Sequence, residues 1–320
     1  MPKHHTHKIS VVELMRIFPN EDACYHWLEQ VRWNGEPVCP HCGGTENFSR
    51  PPSKPHHYWH KDCRKYFTAT TGTCMHGTKK PLQDWIYAIY TVMTARKGVS
   101  AMQLSKELSC QYRTAWYMMH RIREGCGRGD FTLGNVVEVD ETYVGGKERN
   151  KHAAKRLNAG RGTVGKTAVV GVRERGGKVI ARPVERTDAA TLTGFVQTAV
   201  EPGSAVYTDS ASAYKPLSCR YEHQTVAHSA GEYVRGLVHT NGIESAWSLL
   251  KRAIHGTWHH VSPKHLARYV NEVAFRLNEG NCQEDILDRM AFWARQIGGK
   301  RIAYQELIAD NGLSAEVESV

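Results

Sequence analysis

Three carboxylates set far apart in the chain, Asp140, Asp209 and Glu244, carry most of its chemical content, and Lys251 follows the last of them by seven positions. Asp140 lies in NVVEVDETYVGG, which reads as a strand. Asp209 stands at the end of a second strand, AVYTD, that runs into the small-residue turn SASAY. Glu244 opens NGIESAWSLLKRAI, which reads as a helix. Two strands and a helix can bring three carboxylates to one pair of hard divalent cations, an arrangement suited to cutting and joining phosphodiester bonds.

Alternation along the first strand sends Glu138 and Asp140 to one face and Glu141 to the other, which sets Glu141 apart from a site on the Asp140 face. Glu244 and Lys251 share one helix face. Ile243, Ala246, Trp247, Leu250 and Ile254 form a neighbouring stripe that would dock on a sheet. The carboxylate and the ammonium then project along the border of that stripe, the first toward metal and the second toward phosphate. Structural roles compete for two of the acids. Glu244 also stands where the third residue of a capping box would stand, with Asn241 as N-cap, and Asp209 also suits a turn or a cap.

A second constellation is Cys39-Pro-His-Cys42 followed by His60-Lys-Asp-Cys63, two knuckles with 17 residues between them. This is zinc-ribbon spacing, and four protein ligands leave no open position, so a Zn2+ ion there would be structural. His41 competes as a ligand, although its adjacency to Cys42 makes that awkward. The remaining Cys24, Cys74, Cys110, Cys126, Cys219 and Cys282 read as reduced, mostly buried thiols. Around the ribbon, Arg50, Lys54, Lys61, Arg64 and Lys65 interleave with Tyr58, Trp59, Tyr66 and Phe67. That mixture suits nucleic-acid contact, and the aromatics equally suit packing of a small module. The HHTH stretch near the start reads as a solvated tail. His255 and His259 make no metal site if Gly256 and Thr257 break the helix between them, and Glu272 is expected in a surface salt bridge.

The elements that must position these groups fall into blocks. Residues 8–33 look helical, with Asn20 as an N-cap inside the stretch. Residues 37–78 are turns and short strands too small to form a core unaided. Residues 81–126 look helical, with Pro81 at a helix start. Within them, KGVSAMQLSKELSCQYRTAWYMMHRIRE fits a helix-turn-helix: one helix from Ser100 to Leu108, a turn at Ser109–Cys110, and a second helix from Arg113. Leu104, Leu108, Ala115, Trp116 and Met119 would form its inner face. Gln111, Tyr112, Arg113 and Thr114 would start the second helix, where base-edge and phosphate contacts are usual. GCGRGD (125–130) looks like a linker. The pattern then turns to strands, with a hairpin at Arg175–Gly176–Gly177 and a helix over 187–200 capped by Thr187 or Asp188. The order is three strands, a helix, a strand, then further helices, which makes a mixed sheet flanked by helices. Between the first two strands, residues 147–166 hold seven Lys or Arg and one acid. That stretch reads as an exposed loop able to grip DNA, with Lys147, Lys155 and Arg156 among its expected contacts.

These blocks together resemble the DDE-class insertion-sequence transposases of bacteria, which carry an N-terminal zinc ribbon and an RNase H-like catalytic domain. The resemblance rests on FPNEDACYHWLEQVRW, VCPHCGG, HKDCRKYFTATTGT, VEVDETYVGGKE, VYTDSASAY, HTNGIESAWSLLKR and HHVSPKHLARYVNEVAFRLN. It implies an α+β multidomain chain: an N-terminal helical segment (1–36), a zinc ribbon (37–78), a helix-turn-helix region (79–128), an RNase H-like mixed α/β domain (131–296) and a C-terminal tail (297–320). By position it assigns the catalytic aspartates to Asp140 and Asp209, the third acid to Glu244 and the trailing base to Lys251. Some members carry Asn at the third metal position, which makes Asn241 a competitor. The second knuckle in the family usually begins with Cys, where this chain has His60. The resemblance also implies two Mg2+ ions, or Mn2+ in their place, about 3.5–4 Å apart. The partners it implies are double-stranded DNA, at element ends and target, and a homodimer or larger assembly on paired ends. Arg64, Lys65, Lys251 and Arg252 are further expected DNA contacts.

Charge fits that expectation. Of a net +10, residues 1–130 hold 18 basic against 11 acidic side chains, and residues 131–320 hold 24 against 21. The basic excess therefore lies toward the N-terminal part, which would meet the phosphate backbone first. No apolar run approaches the roughly 18–20 residues of a membrane span, and MPKHHTHK lacks the apolar segment of a signal peptide. A cytoplasmic location, nucleoid-associated when bound to DNA, is the expectation. Two other classes fit less of the pattern: a nuclease that cuts without joining, and a DNA-binding regulator with an inert catalytic domain.

Overall fold

A computed structural model of the chain describes residues 9–127, 131–146, 152–155, 157, 162–209, 211–226, 238–278 and 285–309. The histidine-rich start, Lys147, Arg156 and Cys282 lie outside the described residues. The chain divides into two units, one of residues 1–127 with 280–320 and one of residues 128–279.

In the first unit the expected N-terminal helical stretch is two helices, α1 (Val11–Ile17) and α2 (Glu21–Trp33). The break falls where Pro19 disfavours helix at Phe18 and Asn20 begins again, its side chain accepting from the Ala23 amide at 2.9 Å. The ribbon is a small antiparallel sheet in the order β1 (Phe48–Ser49), β2 (Tyr58–His60), β3 (Lys65–Phe67). Its strands turn Tyr58, His60 and Phe67 inward. Tyr58 and Phe67 pack edge-on against Trp33 of α2 at 5.6 and 5.8 Å. The ribbon thus borrows its core from the preceding helix, as its size requires.

The helices α3 (Leu82–Thr94), α4 (Ala101–Glu107) and α5 (Tyr112–Gly125) follow. Ser100 caps α4, and Ser109 takes a left-handed conformation (φ 45°) in the turn before α5. Leu104, Ala115 and Met119 are buried between α4 and α5, while Leu108 and Trp116 are half-buried.

Residues 286–309 depart from the expected domain plan. The helix Ile286–Arg295, placed by sequence in the catalytic domain, packs on α2 and α3. Arg289 donates to the Met93 carbonyl at 2.8 Å, and the fully buried Trp293 donates to the Ile122 carbonyl at 3.2 Å. Gly125 makes room for the Trp293 ring, since a Cβ there would meet it at 2.4–2.7 Å. Nor are residues 297–309 a tail. Ile297, Ile302 and Leu307 are buried, and Tyr117 donates to the Ile302 carbonyl at 2.8 Å. The stripe of Ile286, Met290, Trp293 and Ala294 is apolar at helical spacing, but periodicity does not say which core it joins. Among the remaining cysteines, Cys24, Cys74 and Cys126 are buried, Cys110 is half-buried, and Cys219 is exposed rather than buried.

The second unit holds β4 (Val136–Val144), β5 (Thr167–Glu174), β6 (Val179–Val184), α6 (Ala189–Ala199), β7 (Ala205–Asp209), β8 (Glu222–Val226), α7 (Asn241–Ala253) and α8 (Pro263–Asn278). The strand order is β6-β5-β4-β7-β8. The first three strands are antiparallel, whereas β4, β7 and β8 run parallel. This is the RNase H-like arrangement that the resemblance implies. Gly176 (φ +73°) turns the β5–β6 hairpin, and Asp188 caps α6 through the Thr191 amide.

The strand β8 was absent from the sequence reading. Its residues, EHQTV, show no apolar alternation because it lies at the sheet edge, where pairing with β7 holds it. One face of the sheet packs on α6 through Val137, Val139, Val170, Val172 and Val206. The other packs on α7 and α8 through Val144, Val169 and Val179. Two further expectations change here. Glu272 is fully buried and ion-paired with Arg276 at 3.4 Å, not on the surface. The helix does not break at Gly256 and Thr257 but widens into a π-helical turn over Ile254–Trp258, after which His259 takes φ 60°.

Candidate active site and metal centre

Asp140 and Asp209 end up side by side through strand register. On the parallel strands β4 and β7, Glu138 is paired with Tyr207. The same offset carried two residues further sets Asp140, midway along β4, beside Asp209 at the carboxyl end of β7. Ligand sites in open α/β sheets gather there. Asp209 Oδ1 accepts from the Ala211 amide at 3.0 Å, so the turn role weighed for Asp209 is realised. The Asp140 carboxyl is pushed up to about 7 by burial, then by the nearby charges of Glu141 and Asp209.

Glu141 points to the opposite face, as alternation requires. It accepts from Tyr214 Oη at 2.6 Å, and burial raises its pKa as well. The fully buried Tyr214 is itself driven upward by burial and by Glu141.

Glu244 sits half-buried in the first turn of α7, where it accepts from Thr240 Oγ1 at 3.1 Å. The capping box weighed as a competing role for Glu244 does not form. Thr240 is the N-cap, and Asn241 is the exposed first residue of the helix. The cap comes from the sheet instead. Glu138, 1% exposed, accepts from the Ile243 amide at 3.0 Å. Gly242 permits this approach, because a Cβ there would meet Glu138 Oε2 at 2.5 Å. Arg175 and His239 Nδ1 each lie 3.3 Å from Glu138 Oε1, and Arg173 donates to the Gly242 carbonyl at 2.6 Å. A carboxylate at a helix N-terminus is favoured by the amide dipoles, so Glu138 ties the strand of Asp140 to the helix of Glu244. Sequence marked Glu138 as sharing the Asp140 face but gave it no role; the signal was an acid buried two residues before an expected ligand.

The docking stripe is as expected: Ile243, Ala246, Trp247, Leu250 and Ile254 are buried. Lys251 and Arg252 are exposed on the same helix, with Arg252 Nε donating to the Ser248 carbonyl at 3.1 Å. The three carboxylates are not drawn into one group whose oxygens all lie within 4.8 Å, the closeness that the zinc ligands reach. Their chemistry nonetheless fits hard divalent cations. All three offer oxygen, and a half-buried Asp140 with Asp209 nearby is a pairing of acids that a cation would relieve.

The ribbon is the tighter site. Cys39, Cys42, His60 and Cys63 place four ligand atoms within 4.8 Å of one another, the group of at least three such residues found among the described residues. Gly43 (φ +77°) turns the first knuckle. Gly44 leaves space for the His60 ring, which a Cβ would meet at 2.7 Å. His60 Nδ1 lies 3.2 Å from Cys42 Sγ and 3.1 Å from Cys63 Sγ. Its Nε2 is 3.2 Å from Asp62 Oδ2, and Asn47 donates to both Asp62 oxygens at 3.1 and 3.2 Å. Such an outer carboxylate orients a metal-bound imidazole; Asp62 and Asn47 were not picked out by sequence, although HKDC sets Asp62 beside Cys63. The Gly44 amide aimed at Cys42 lowers its thiol pKa, while partial burial and the sulfurs of Cys39 and Cys42 push Cys63 up to about 11. Crowded sulfurs with one imidazole suit tetrahedral Zn2+. His41 faces away, its Nε2 3.2 Å from the Tyr66 carbonyl. The aromatics divide between the two roles weighed for them. Tyr58 and Phe67 are core, whereas the half-buried Trp59 and the exposed Tyr66 meet at 4.6 Å with their rings tilted, and Lys54 Nζ lies 3.8 Å from the Tyr66 ring.

Arg64 and Lys65 are exposed on the ribbon, and Gln111, Tyr112 and Arg113 are exposed at the start of α5, with Thr114 half-buried. Lys155 lies on a short 3-10 turn, Ala153–Lys155. No helix among the described residues is long and apolar enough to cross a membrane.

A family model described as the ISXO2-like transposase domain matches residues 132–278, ending with the last residue of α8, and a transposase zinc-ribbon domain matches residues 19–67. A protein in the transposable element ISH50 of Halobacterium salinarum is 31% identical over 257 residues, covering 74% of this chain and 84% of that relative. With a zinc-ribbon region, an RNase H-like sheet and aspartates on adjoining strands, the chain belongs to the ISXO2-like transposase family.

Proposed function

We propose that this chain is a DNA transposase that binds the terminal inverted repeats of an insertion sequence, cleaves at the element's 3′ ends and joins them to target DNA. The observation that carries the reading is the register of β4 and β7, which sets Asp140 beside Asp209, together with the Glu138 cap that fixes the helix of Glu244 to the same sheet face.

Asp140, Asp209 and Glu244 are the residues that would hold two Mg2+ ions, or Mn2+, with Asn241 as the alternative third position. Bound there, the ions supply Lewis acidity toward the scissile phosphate and toward the attacking water or 3′-hydroxyl. The protein's own groups do the rest. Lys251 and Arg252, exposed on α7, meet the phosphate backbone. Gln111, Tyr112, Arg113 and Thr114 enter a groove and read base edges, while Arg64 and Lys65 on the ribbon hold phosphate and register. The basic loop with Lys147, Lys155 and Arg156 grips donor or target DNA. The structural zinc keeps the ribbon folded and takes no part in the chemistry. The working form is a homodimer or larger assembly on paired ends, in a bacterial cytoplasm at the nucleoid.

The test is incubation of purified protein with labelled element-end DNA, Mg2+ and a target plasmid, with Asp209→Asn alongside. Joined products from wild type alone support the reading. Cleavage without joining makes the chain a nuclease, and end binding with neither reaction makes it a regulator.

A further inference from the structure

We propose that Trp247 is a positioning residue for Asp140: its indole N–H, seated in a slot that Gly171 leaves open on the sheet, fixes the Asp140 carboxylate in the orientation that holds a divalent cation. This rests on the reading of Asp140 as a metal ligand and deepens it.

Three observations converge. First, Trp247 Nε1 donates to Asp140 Oδ2 at 3.0 Å. Trp247 is only 6% exposed, and a buried indole N–H needs an acceptor. Second, Gly171 is the residue paired with Asp140 across the antiparallel β4–β5 ladder. A Cβ on Gly171 would meet Trp247 Cη2 at 2.5 Å and Cζ2 at 2.7 Å, so the ring lies flush against bare backbone at that position. Glycine in a strand interior weakens the strand and often marks such a close approach. Its neighbours on that face, Val169 and Arg173, carry side chains; only the position opposite Asp140 is bare. Third, Trp247 lies on α7 one turn after Glu244, so the helix that carries the third carboxylate also orients the first.

Packing alone does not account for this set. A phenylalanine or leucine would fill the stripe between Ile243 and Leu250, and neither would need a bare strand position or place a donor on the carboxylate. With one oxygen oriented by the indole, the Asp140 carboxylate presents its remaining lone pairs to a cation. Partners that orient metal ligands typically contribute about 10–100-fold in metal affinity or activity.

The experiment uses the full chain with its zinc in place. Mn2+ binding is read by the EPR signal of the free ion, beside the Mn2+ dependence of end-DNA cleavage. Trp247→Phe keeps an aromatic ring and loses the donor. Site-specific incorporation of a benzothiophene in place of the Trp247 indole keeps the bicyclic shape and puts sulfur where the N–H was. We expect both to bind Mn2+ about 10–100-fold more weakly, with unchanged end-DNA binding and a drop in melting no larger than loss of one hydrogen bond requires. Cleavage should recover toward the wild-type rate at saturating Mn2+. Gly171→Ala, which displaces the ring without altering either partner, should shift metal dependence in the same direction. A purely structural role would instead cut the rate at every Mn2+ concentration without moving the Mn2+ affinity, and that result overturns the proposal. Wild-type Mn2+ affinity in the benzothiophene variant overturns it even if Trp247→Phe fails to fold. Asp140→Asn separates the two levels. If it abolishes Mn2+ binding while the Trp247 variants bind normally, only the positioning role falls. If Asp140→Asn binds Mn2+ as wild type does, the reading of Asp140 as a ligand falls with it.

Discussion

Asp140 should cost the metal-free protein stability, and removing its charge should return it. An aspartate ordinarily titrates near 3.8, and burial with Glu141 and Asp209 nearby pushes Asp140 up to about 7. The folded state therefore holds a proton that the unfolded state has already released. For an acid whose pKa is raised by folding, the penalty is absent below about pH 4, grows as pH rises toward 7, and is complete above it. At about 1.4 kcal/mol per pH unit the ceiling is about 4 kcal/mol. Water entry and side-chain relaxation reduce this, and about 1–2 kcal/mol is the working expectation. Asp140→Asn keeps an oxygen to accept from Trp247 and removes the charge. In Mg2+-free buffer at pH 8, with zinc equal to the ribbon sites, its β4 amides should exchange about 5–30-fold more slowly than those of wild type. The gap should close at pH 4. Mg2+ should slow exchange in wild type but not in the variant, because a ligand that binds only the folded state stabilises it. Equal exchange of the two proteins at pH 8, or a gap that persists at pH 4, would refute the argument.

Glu138→Gln should lose about 1–3 kcal/mol of protection in the first turn of α7, since the cap weakens and the Arg175 pairing loses its charge; hydrogen exchange of peptides covering 241–247 checks it, and cleavage should fall with it. His60→Ala should lose stoichiometric zinc and unfold the ribbon, whereas His60→Cys should retain zinc as a four-cysteine site; metal release with a colorimetric chelator reads both. Arg113→Ala should weaken binding to element ends and, if its contact is to phosphate, lower the slope of log affinity against log salt by about 1; an unchanged affinity at low salt would remove α5 from the interface.

Much of this site was legible in the chain because its signals are local. Cys39, Cys42, His60 and Cys63 announce a metal site by spacing, and the amphipathic stripe of α7 fixes which face it buries. Side-chain alternation alone separated Glu141 from Asp140, and the structure keeps them on opposite faces. What stayed hidden depends on partners distant in sequence. Asn241 and Glu244 stand at capping-box spacing, one of two roles the sequence left open for Glu244, yet the cap arrives from Glu138, 105 residues before Ile243. The helix Ile286–Arg295 has an apolar stripe, but only α2 and α3 reveal its destination. β8 escaped because an edge strand of polar residues carries no periodic signal.

The same contrast explains why α7 is the element on which the site depends. Besides the Arg173 bond to the Gly242 carbonyl, α7 has two polar attachments to β4: Glu138 grips the first-turn amide, and Asp140 accepts from the Trp247 indole one turn later. Each attachment is opposed by a glycine that permits close approach, Gly242 for the carboxylate of Glu138 and Gly171 for the ring of Trp247. A helix held by the apolar stripe alone could slide or rotate by a fraction of an ångström at little cost, because hydrophobic burial is non-directional. Two hydrogen bonds to residues two apart on a single strand remove that freedom, and Glu244 lies between the two anchoring positions on the helix. The carboxylate on the helix is thereby indexed to the carboxylate on the strand. Parallel pairing indexes the strand to Asp209 in turn. Positional precision of this kind is what oriented, multi-carboxylate chemistry demands of a scaffold.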